Sequence, residues 1–539
     1  MGARVLLLWL DGYDPAVGDA LMAEGRLPRL QRLRDASARF ALDHGAARWT
    51  GLAGEHLSTG LSADDAGRQS ALHFDAAHYT IWQEGTSRAP FTASLRARTV
   101  VFDATYFDLE RAPDTRGLVH WGAHDPGVKP ASRPAGLHEE LKQRFGPYPE
   151  QWIYGYVWPS PARAKAMGDA LAAAARLRGE AARWLLAERL PDWDLAIVVS
   201  GELHSAAEAL WHGYDRDHPL HRMPSAGPAG AGFIAVYEAV DRMVGRLGDA
   251  FPDAALVVCS LHGMGPNNSD VPSMVLLPEL LFRYRFGESL MTGRPEWAAG
   301  PDMMPSLPET AAWWPGLLKQ GFRQPEHWSL RLKRRARPAE AAPIWPEDGS
   351  NTARISVDPI CATWYRRFWP AMRAFALPSY YDGRVRVNLV GRESEGRVPR
   401  WAYNFALNAI ERLVRGCRDI RTGEPVVAAI DLPARRDPYA LDAASADMLI
   451  LWRSSPVGFV HERFGRIGPV PPQRPGGHTG GQGMAYLCGN GLGPGDYGVR
   501  SAFDVVPTVI DLLGEAKPAE ISGASLLPAA SEPLRLAAE

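Results

Sequence analysis

Two histidines and one glutamate have the types and the spacing of a metal-binding set. His204 and Glu208 are four residues apart, so their side chains share one face if this segment is helical. Together with His478 they offer two imidazoles and one carboxylate, a ligand set that suits catalytic zinc with an open coordination position. The sequence therefore predicts a divalent metal site at these three residues. Zinc is the favoured ion, and manganese or calcium would suit an oxygen-richer arrangement.

A second cluster could form from Asp11, His262 and the hydroxyl group of Thr50. A threonine hydroxyl is a poor nucleophile at neutral pH, and coordination to a metal ion would stabilise its alkoxide. Each of these residues also has a structural interpretation when it is taken alone. A strand-end aspartate is often a helix cap, and a single histidine is more often structural than a ligand.

Short apolar runs precede these candidate residues and predict the elements that position them. The three runs are residues 5–10, 195–199 and 255–259, and each ends shortly before side chains that could do chemistry. Such runs are typical of strands that are buried on both faces, and ligands bind at the carboxyl ends of such strands. Asp11, Glu202, His204 and His262 all fall at those ends. Amphipathic helical patterns at 167–185 and 236–247 lie between the runs, so we predict a three-layer α/β/α sandwich around a largely parallel central sheet.

The composition changes between residues 272 and 400, where proline and tryptophan become frequent and the helical period fades. We predict that this range is an inserted cap that supplies substrate contacts, and that 1–271 and 401–539 form the catalytic core. The cap contains a basic run at 331–337, which is either an anion-binding surface or simply a solvated face.

Composition and charge exclude several classes of protein. The 539 residues carry 59 Lys and Arg against 61 Asp and Glu, and this net charge of −2 argues against a polybasic nucleic-acid binder. Hydrophobic residues at 46% and charged residues at 22% are typical of a globular chain. The four cysteines include no CxxC pair, which argues against a disulfide scaffold. We find no secretory leader and no apolar run of about 20 residues, so we expect a cytoplasmic protein without a membrane span. The sequence carries no signal of oligomeric state.

Several motifs resemble, in order, those of the alkaline phosphatase superfamily, in particular its branch of type I phosphodiesterases and nucleotide pyrophosphatases. Asp11-Gly12 is similar to the segment with the first metal-binding aspartate, and Thr50, nine residues before Thr59-Gly60, matches the position of the nucleophile. The remaining matching segments are 202–208, 260–264 (Ser-Leu-His-Gly-Met), 386–393, 478–480, 503–508, 513–514 and 523–526. The resemblance implies a covalent phosphothreonine on Thr50 that is then hydrolysed. It also implies two metal sites, one at His204, Glu208 and His478 and the other at Asp11, Thr50 and His262.

The chain departs from the family pattern at three ligand positions. Leu261 stands where the family has a metal-binding aspartate, while His204 and Glu208 replace an aspartate and a histidine. We therefore expect one secure metal site and a second that is weak, conditional or absent. Glu55 or Glu202 could compensate for the missing carboxylate.

These observations predict a metal-dependent hydrolase of phosphate esters that cleaves a phosphodiester or pyrophosphate bond of a small anionic molecule. A sulfatase or a phosphoryl-group transferase on the same scaffold is an alternative. A degenerate member that binds a ligand without catalysis is another.

Further candidates for binding an anionic substrate are Arg392 and His124, and His212 is another candidate for substrate binding. His212 lies in a segment rich in histidine and aromatic residues that could form a pocket wall, supply an alternative ligand or pack as an ordinary loop.

Overall fold

A nine-stranded, largely parallel sheet forms the centre of the computed structural model. The model describes residues 4–122, 128–150, 160–298, 303–305, 314–322, 354–443, 445–489 and 491–528. In chain order the strands are β1 (Arg4–Leu10), β2 (Ala38–Asp43), β3 (Leu72–Asp75), β4 (Thr80–Glu84), β5 (Thr99–Phe102), β6 (Arg116–Val119), β7 (Ala131–Arg133), β8 (Leu195–Ser200), β9 (Ala254–His262), β10 (Gly265–Pro266), β11 (Arg354–Ser356), β12 (Ala374–Leu377), β13 (Gly383–Val387), β14 (Arg418–Asp419), β15 (Val427–Asp431), β16 (Met448–Trp452), β17 (Phe459–His461), β18 (Gly465–Ile467), β19 (Gly476–Gly477), β20 (Gln482–Cys488) and β21 (Gly495–Ser501).

The strand order in the main sheet is β21-β2-β20-β9-β1-β8-β5-β6-β7. The five central strands from β9 to β6 run parallel, and β20 and β7 are antiparallel to their neighbours. Because β1 lies between β8 and β9, the three predicted strands are adjacent and their carboxyl ends meet at one edge of the sheet.

Helices cover both faces of this sheet. Along β1, Leu6, Leu8 and Leu10 pack into one hydrophobic core, while Val5 and Leu7 belong to a separate core on the opposite face. The α-helices are α1 (Pro15–Ala23), α2 (Pro28–Asp35), α3 (Ala53–Thr59), α4 (Ala63–Ala66), α5 (Leu137–Phe145), α6 (Pro161–Trp184), α7 (Glu202–Tyr214), α8 (Ala226–Ala250), α9 (Leu277–Phe286), α10 (Trp314–Lys319), α11 (Tyr403–Arg415) and α12 (Val505–Leu512). The first core holds α6, α7 and α8, and the second holds α12, so the predicted α/β/α sandwich is confirmed.

The two long helices of the first face are α6 and α8, and the sequence explains where α6 begins and how the two pack. Ser160 caps α6 by accepting a hydrogen bond from the Arg163 backbone N–H, and Pro161 occupies the first helical position. Apolar residues then recur at helical spacing on the buried side of α6 and α8, and the two helices lie against each other. No helix among the described residues is long and apolar enough to cross a membrane.

A third hydrophobic core lies in a lobe built largely from the region predicted as a cap. Its centre includes α9, the sheet β12-β13-β16-β15 and helix α11. It also takes in the hairpin β3–β4 and continues to Val470, so this core extends on both sides of the predicted range 272–400. Composition did not indicate this extension because α11 and β16 have the same amphipathic and apolar patterns as the elements of the main sheet.

Candidate metal centre and active-site cavity

The turn after β1 brings Asp11 against the start of helix α7. The backbone N–H of Asp11 donates to Ser200 O at 2.9 Å, and the N–H of His204 donates to Asp11 O at 3.1 Å. Gly12 permits this contact, since its φ is +77° and a Cβ atom there would lie 2.4 Å from the backbone of His204. The Asp-Gly pair therefore serves to place a strand end beside a helix end.

Helix α7 carries His204 and Glu208 on one face, as predicted. A short pair of β-strands brings His478 beside them. Nε2 of His204 lies 3.2 Å from Oε1 of Glu208 and 3.2 Å from Nε2 of His478. His478 directly follows β19, which pairs with β10 just beyond His262. All three side chains are buried.

The three side chains fit a divalent ion. One ligand atom from each lies within 4.8 Å of the others, and this is the one such group of three or more found among the described residues. Ligand bonds of about 2.0–2.1 Å in a tetrahedral site separate ligand atoms by about 3.3 Å, which is close to the two 3.2 Å separations here. Burial opposes a positive charge on His204, but Asp11 and Glu208 outweigh it and raise the pKa of His204 to about 10. The site thus favours a cation.

Arg474 holds the glutamate of this set. Its Nη1 donates to Oε1 of Glu208, and its Nε and Nη2 bind the two carboxylate oxygens of Asp270 at 2.8 and 2.7 Å. Asp11, Glu208 and Asp270 thus bring three carboxylates to a buried site that also contains Arg474 and His204.

A chain of imidazoles continues from His478 away from this set. Nδ1 of His478 lies 2.6 Å from Nε2 of His262, whose Nδ1 lies 3.1 Å from Nδ1 of His44. Nε2 of His44 lies 3.0 Å from Nδ1 of His56. Burial lowers the pKa of His44, of His262 to about 4 and of His56 to about 3, so these three rings are neutral at pH 7.

A cavity of about 440 Å³ opens above the metal centre. His204, Glu208, His262 and His478 lie on its wall, and so does Asp11. Aromatic and apolar side chains form much of the remaining wall: Tyr106, Met274, Trp314, Ile360, Tyr380 and Tyr381. The ring of Tyr381 packs edge-on against His478 with the centroids 4.5 Å apart. The cavity therefore combines a polar floor with walls suited to an apolar or aromatic group.

Arg48 supplies a positive charge to the same cavity. Its Nη1 donates to Gly480 O at 3.0 Å and its guanidinium lies over the Trp49 ring, 4.4 Å from the centroid. No carboxylate of the described residues forms an ion pair with it, and its buried Nε has no hydrogen-bond partner there. Arg48 is thus a candidate for binding an anionic group.

Thr50 lies beside the cavity, although its hydroxyl group is engaged by the backbone. The hydroxyl donates to Ala47 O at 2.7 Å and accepts from the Leu52 N–H at 3.2 Å. The next residue, Gly51, lines the cavity in a left-handed conformation with φ of +75°. Thr50 itself is 6% exposed and is not among the described residues that form the cavity wall.

The structure does not bring Arg392 or His212 to the cavity. The Arg392 guanidinium lies inside the second lobe, where all three of its nitrogens donate hydrogen bonds. It binds both oxygens of Asp447 at 2.8 and 2.7 Å and Glu393 at 2.9 Å. His212 is fully buried on α7, with its Nε2 3.1 Å from the Ser225 hydroxyl. Their predicted role in substrate binding is therefore corrected to a structural one. His124 and the basic run 331–337 lie outside the described residues.

The two acidic residues considered as substitutes for the missing aspartate are each paired with an arginine. Glu202 binds Arg178 at 2.9 and 3.1 Å and accepts from Tyr148 and Ser200, and all of these atoms are buried. Glu55 is paired with Arg68. Leu261 packs in the apolar core on the far face of the sheet.

Sequence reasoning missed several residues of this site, among them His44, Arg48 and Arg474. A signal existed for His44, which directly follows β2 just as Asp11 follows β1. The alternating pattern of β2, with one buried and one partly exposed face, hid that strand from a search for continuous apolar runs.

Two solved structures align with nearly the whole chain. Phosphonoacetate hydrolase from Sinorhizobium meliloti 1021, in complex with phosphonoacetate, is 13% identical over 95% of this chain and 96% of its own, with a TM-score of 0.48. Murine ectonucleotide pyrophosphatase/phosphodiesterase 5, in complex with AMP, is 9% identical over 97% of each chain, with a TM-score of 0.44. No protein-family profile and no curated protein matches the chain.

Both matches extend over nearly the full length of the chain at 13% identity or less.

Proposed function

We propose that this protein is a metal-dependent hydrolase of phosphate esters that acts on a small anionic molecule. The observation that carries the proposal is the set of His204, Glu208 and His478 at the floor of a cavity above the carboxyl ends of parallel strands. This is the place where open α/β sheets bind their ligands. A divalent ion held there would act as a Lewis acid on a phosphoryl oxygen.

The other residues of the cavity suit an ester with one anionic and one apolar end. Arg48 would bind the phosphoryl oxygens, because its guanidinium faces the cavity without a carboxylate partner among the described residues. Tyr106, Tyr380 and Tyr381 would hold the organic group away from water. A phosphodiester or pyrophosphate of a small molecule has both features.

Thr50 is the nucleophile in this proposal. Its hydroxyl oxygen would bond to phosphorus as the P–O bond to the leaving group breaks, and the hydroxyl proton would pass to that group, which departs as an alcohol from a diester or as a phosphate from a pyrophosphate. Water would then hydrolyse the phosphothreonine to threonine and the remaining phosphate. Thr50 is one residue from the cavity wall, and its hydroxyl must exchange the hydrogen bond to Ala47 O for a contact with substrate.

The test compares turnover of a chromogenic phosphodiester, phosphomonoester and sulfate ester by zinc-loaded protein. We expect the diester to be cleaved fastest, Thr50→Ala to abolish turnover and Thr50→Ser to retain it. Full activity of Thr50→Ala would overturn the assignment of the nucleophile. Preference for the sulfate ester would identify a sulfatase, and absence of turnover with all three esters would overturn the hydrolase.

A further inference from the structure

We propose that this chain holds one divalent ion, at His204, Glu208 and His478, and that Asp11 and His262 orient the two histidine ligands instead of binding a second ion. This inference rests on the metal centre of the proposed function. It differs from the two-site arrangement that the motif resemblance implies, and it assigns a new role to the two residues concerned.

In both histidine ligands Nε2 faces the metal position, and Nδ1 faces away from it and has a hydrogen-bond partner. The Nε2 atoms of His204 and His478 face each other at 3.2 Å, so these atoms are the ones that would face the ion. On the outward side, Nδ1 of His204 meets Oδ2 of Asp11 at 2.9 Å, and Nδ1 of His478 meets Nε2 of His262 at 2.6 Å. A metal-bound imidazole carries its proton on the other nitrogen and donates it to an outer partner.

The tautomers then follow by counting protons. When His478 binds an ion through Nε2, its Nδ1–H donates and Nε2 of His262 must accept. That nitrogen of His262 is then engaged and cannot bind a second ion. The proton of His262 lies on Nδ1 and donates to Nδ1 of His44, whose Nε2–H in turn donates to Nδ1 of His56.

The three histidines behind the metal centre pack as a fixed unit. The rings of His44 and His262 stack at an angle of 16°, and the ring of Phe503 packs against both His44 and His56. Four of their ring nitrogens therefore pair within the unit in a buried environment. His262 is held in this unit and presents one nitrogen to His478.

The carboxylate that a second ion would need is absent among the described residues. Leu261 occupies that position and belongs to an apolar cluster with Leu57 and Val506. Glu55 and Glu202, the nearby candidates to replace it, are bound to Arg68 and Arg178. The Thr50 hydroxyl, the third residue of the implied second site, donates to Ala47 O. The other two, Asp11 and His262, are already hydrogen-bonded to the ligands of the first ion.

The primary test is the number of ions per chain. Full-length protein is equilibrated with zinc, passed over a chelating resin and analysed by mass spectrometry for metal, and the stoichiometry is checked by titration with cobalt followed by its visible absorption. We expect one ion per chain and an absorption that saturates at one equivalent. Two ions per chain, or none, would overturn the inference.

Variants of His262 distinguish a positioning residue from a ligand. For His262→Ala we expect one ion per chain with an affinity lowered by about 10–100-fold, as is usual when an outer partner is removed. His262→Gln, whose amide oxygen can accept from His478, should recover part of that affinity. A fall from two ions to one in His262→Ala would show that His262 is a ligand and would overturn the inference. Circular dichroism confirms that each variant is folded.

The outcome is independent of catalysis. One ion per chain without turnover of any ester would leave the single-ion arrangement standing and overturn only the proposed function. Two ions per chain with turnover would overturn the single-ion arrangement and leave the proposed function standing.

Discussion

Asp11 Oδ2 and His204 Nδ1 are 2.9 Å apart, so the carboxylate at the end of β1 binds the imidazole at the start of α7. An ionised carboxylate only accepts hydrogen bonds, and His204 therefore carries a proton on Nδ1. This leaves Nε2 to face Glu208 and His478. One hydrogen bond between a strand end and a helix end thus keeps a proton on Nδ1 and points Nε2 toward the metal position.

The first prediction concerns this pair. Asp11→Asn should lower zinc affinity by about 10–100-fold with the stoichiometry unchanged, because the amide is a weaker acceptor and supports His204 less well. Competition with a fluorescent chelator measures the affinity. Asp19→Asn, which changes an aspartate with a half-exposed side chain on α1, is the matched control and should bind zinc like the wild type. Unchanged affinity in Asp11→Asn would contradict the orienting role.

The second prediction concerns Arg48. Arg48→Gln should raise KM for an anionic ester by about 10–100-fold, since a hydrogen bond to a charged group contributes roughly 1.5–3 kcal/mol. Steady-state kinetics and inhibition by inorganic phosphate measure the effect, and both constants should change together. Arg26→Gln, at an exposed surface pair, serves as the control. An unchanged KM in Arg48→Gln would show that the anion binds elsewhere in the cavity.

The third prediction concerns Arg392. Arg392→Ala should destabilise the protein by about 3–5 kcal/mol, because it leaves Asp447 and Glu393 buried with one cation fewer. Urea unfolding measures the loss. The folded fraction of the variant should retain the wild-type KM, since Arg392 lies outside the cavity wall. A raised KM with unchanged stability would restore its predicted role in substrate binding.

The strands and the pair of His204 and Glu208 could be predicted from the sequence because their signals are local. Residues 5–10 form a continuous apolar run that is typical of a strand covered on both faces, and His204 and Glu208 stand one helical turn apart. The contacts that decide their roles are not local. Asp11 meets His204 across 193 residues and His262 meets His478 across 216, and no spacing rule links such positions.

The residue range of the second lobe could not be predicted from the sequence, for a different reason. Composition separates residues 272–400 from the rest, but a core is defined by which apolar faces meet. Strand β13 pairs with β16, which lies beyond residue 400, and the hairpin β3–β4 packs into the same core from far upstream. The role of Arg392 depended on the same contacts, since its partner Asp447 immediately precedes β16.

The last prediction is that stability falls in mild acid because His212 and His218, like the three histidines behind the metal centre, are buried in neutral form. Burial lowers the pKa of His212 from 6.5 to about 3 and that of His218 to about 4, and their neighbouring histidines contribute. The unfolded chain binds these protons below pH 6.5 whereas the folded chain does not. The stability contributed by each group is therefore complete above pH 6.5 and decreases as the pH falls toward its folded pKa.

The measurement is the free energy of unfolding in urea between pH 7 and pH 4, with a chelator present so that metal binding does not contribute. Each group should remove up to about 1.4 kcal/mol per pH unit in this window. His212→Gln should flatten the slope by that amount, because an amide does not titrate. His78→Gln removes an exposed histidine and should leave the slope as it is in the wild type. Equal slopes for wild type and His212→Gln would show that His212 is not buried in neutral form.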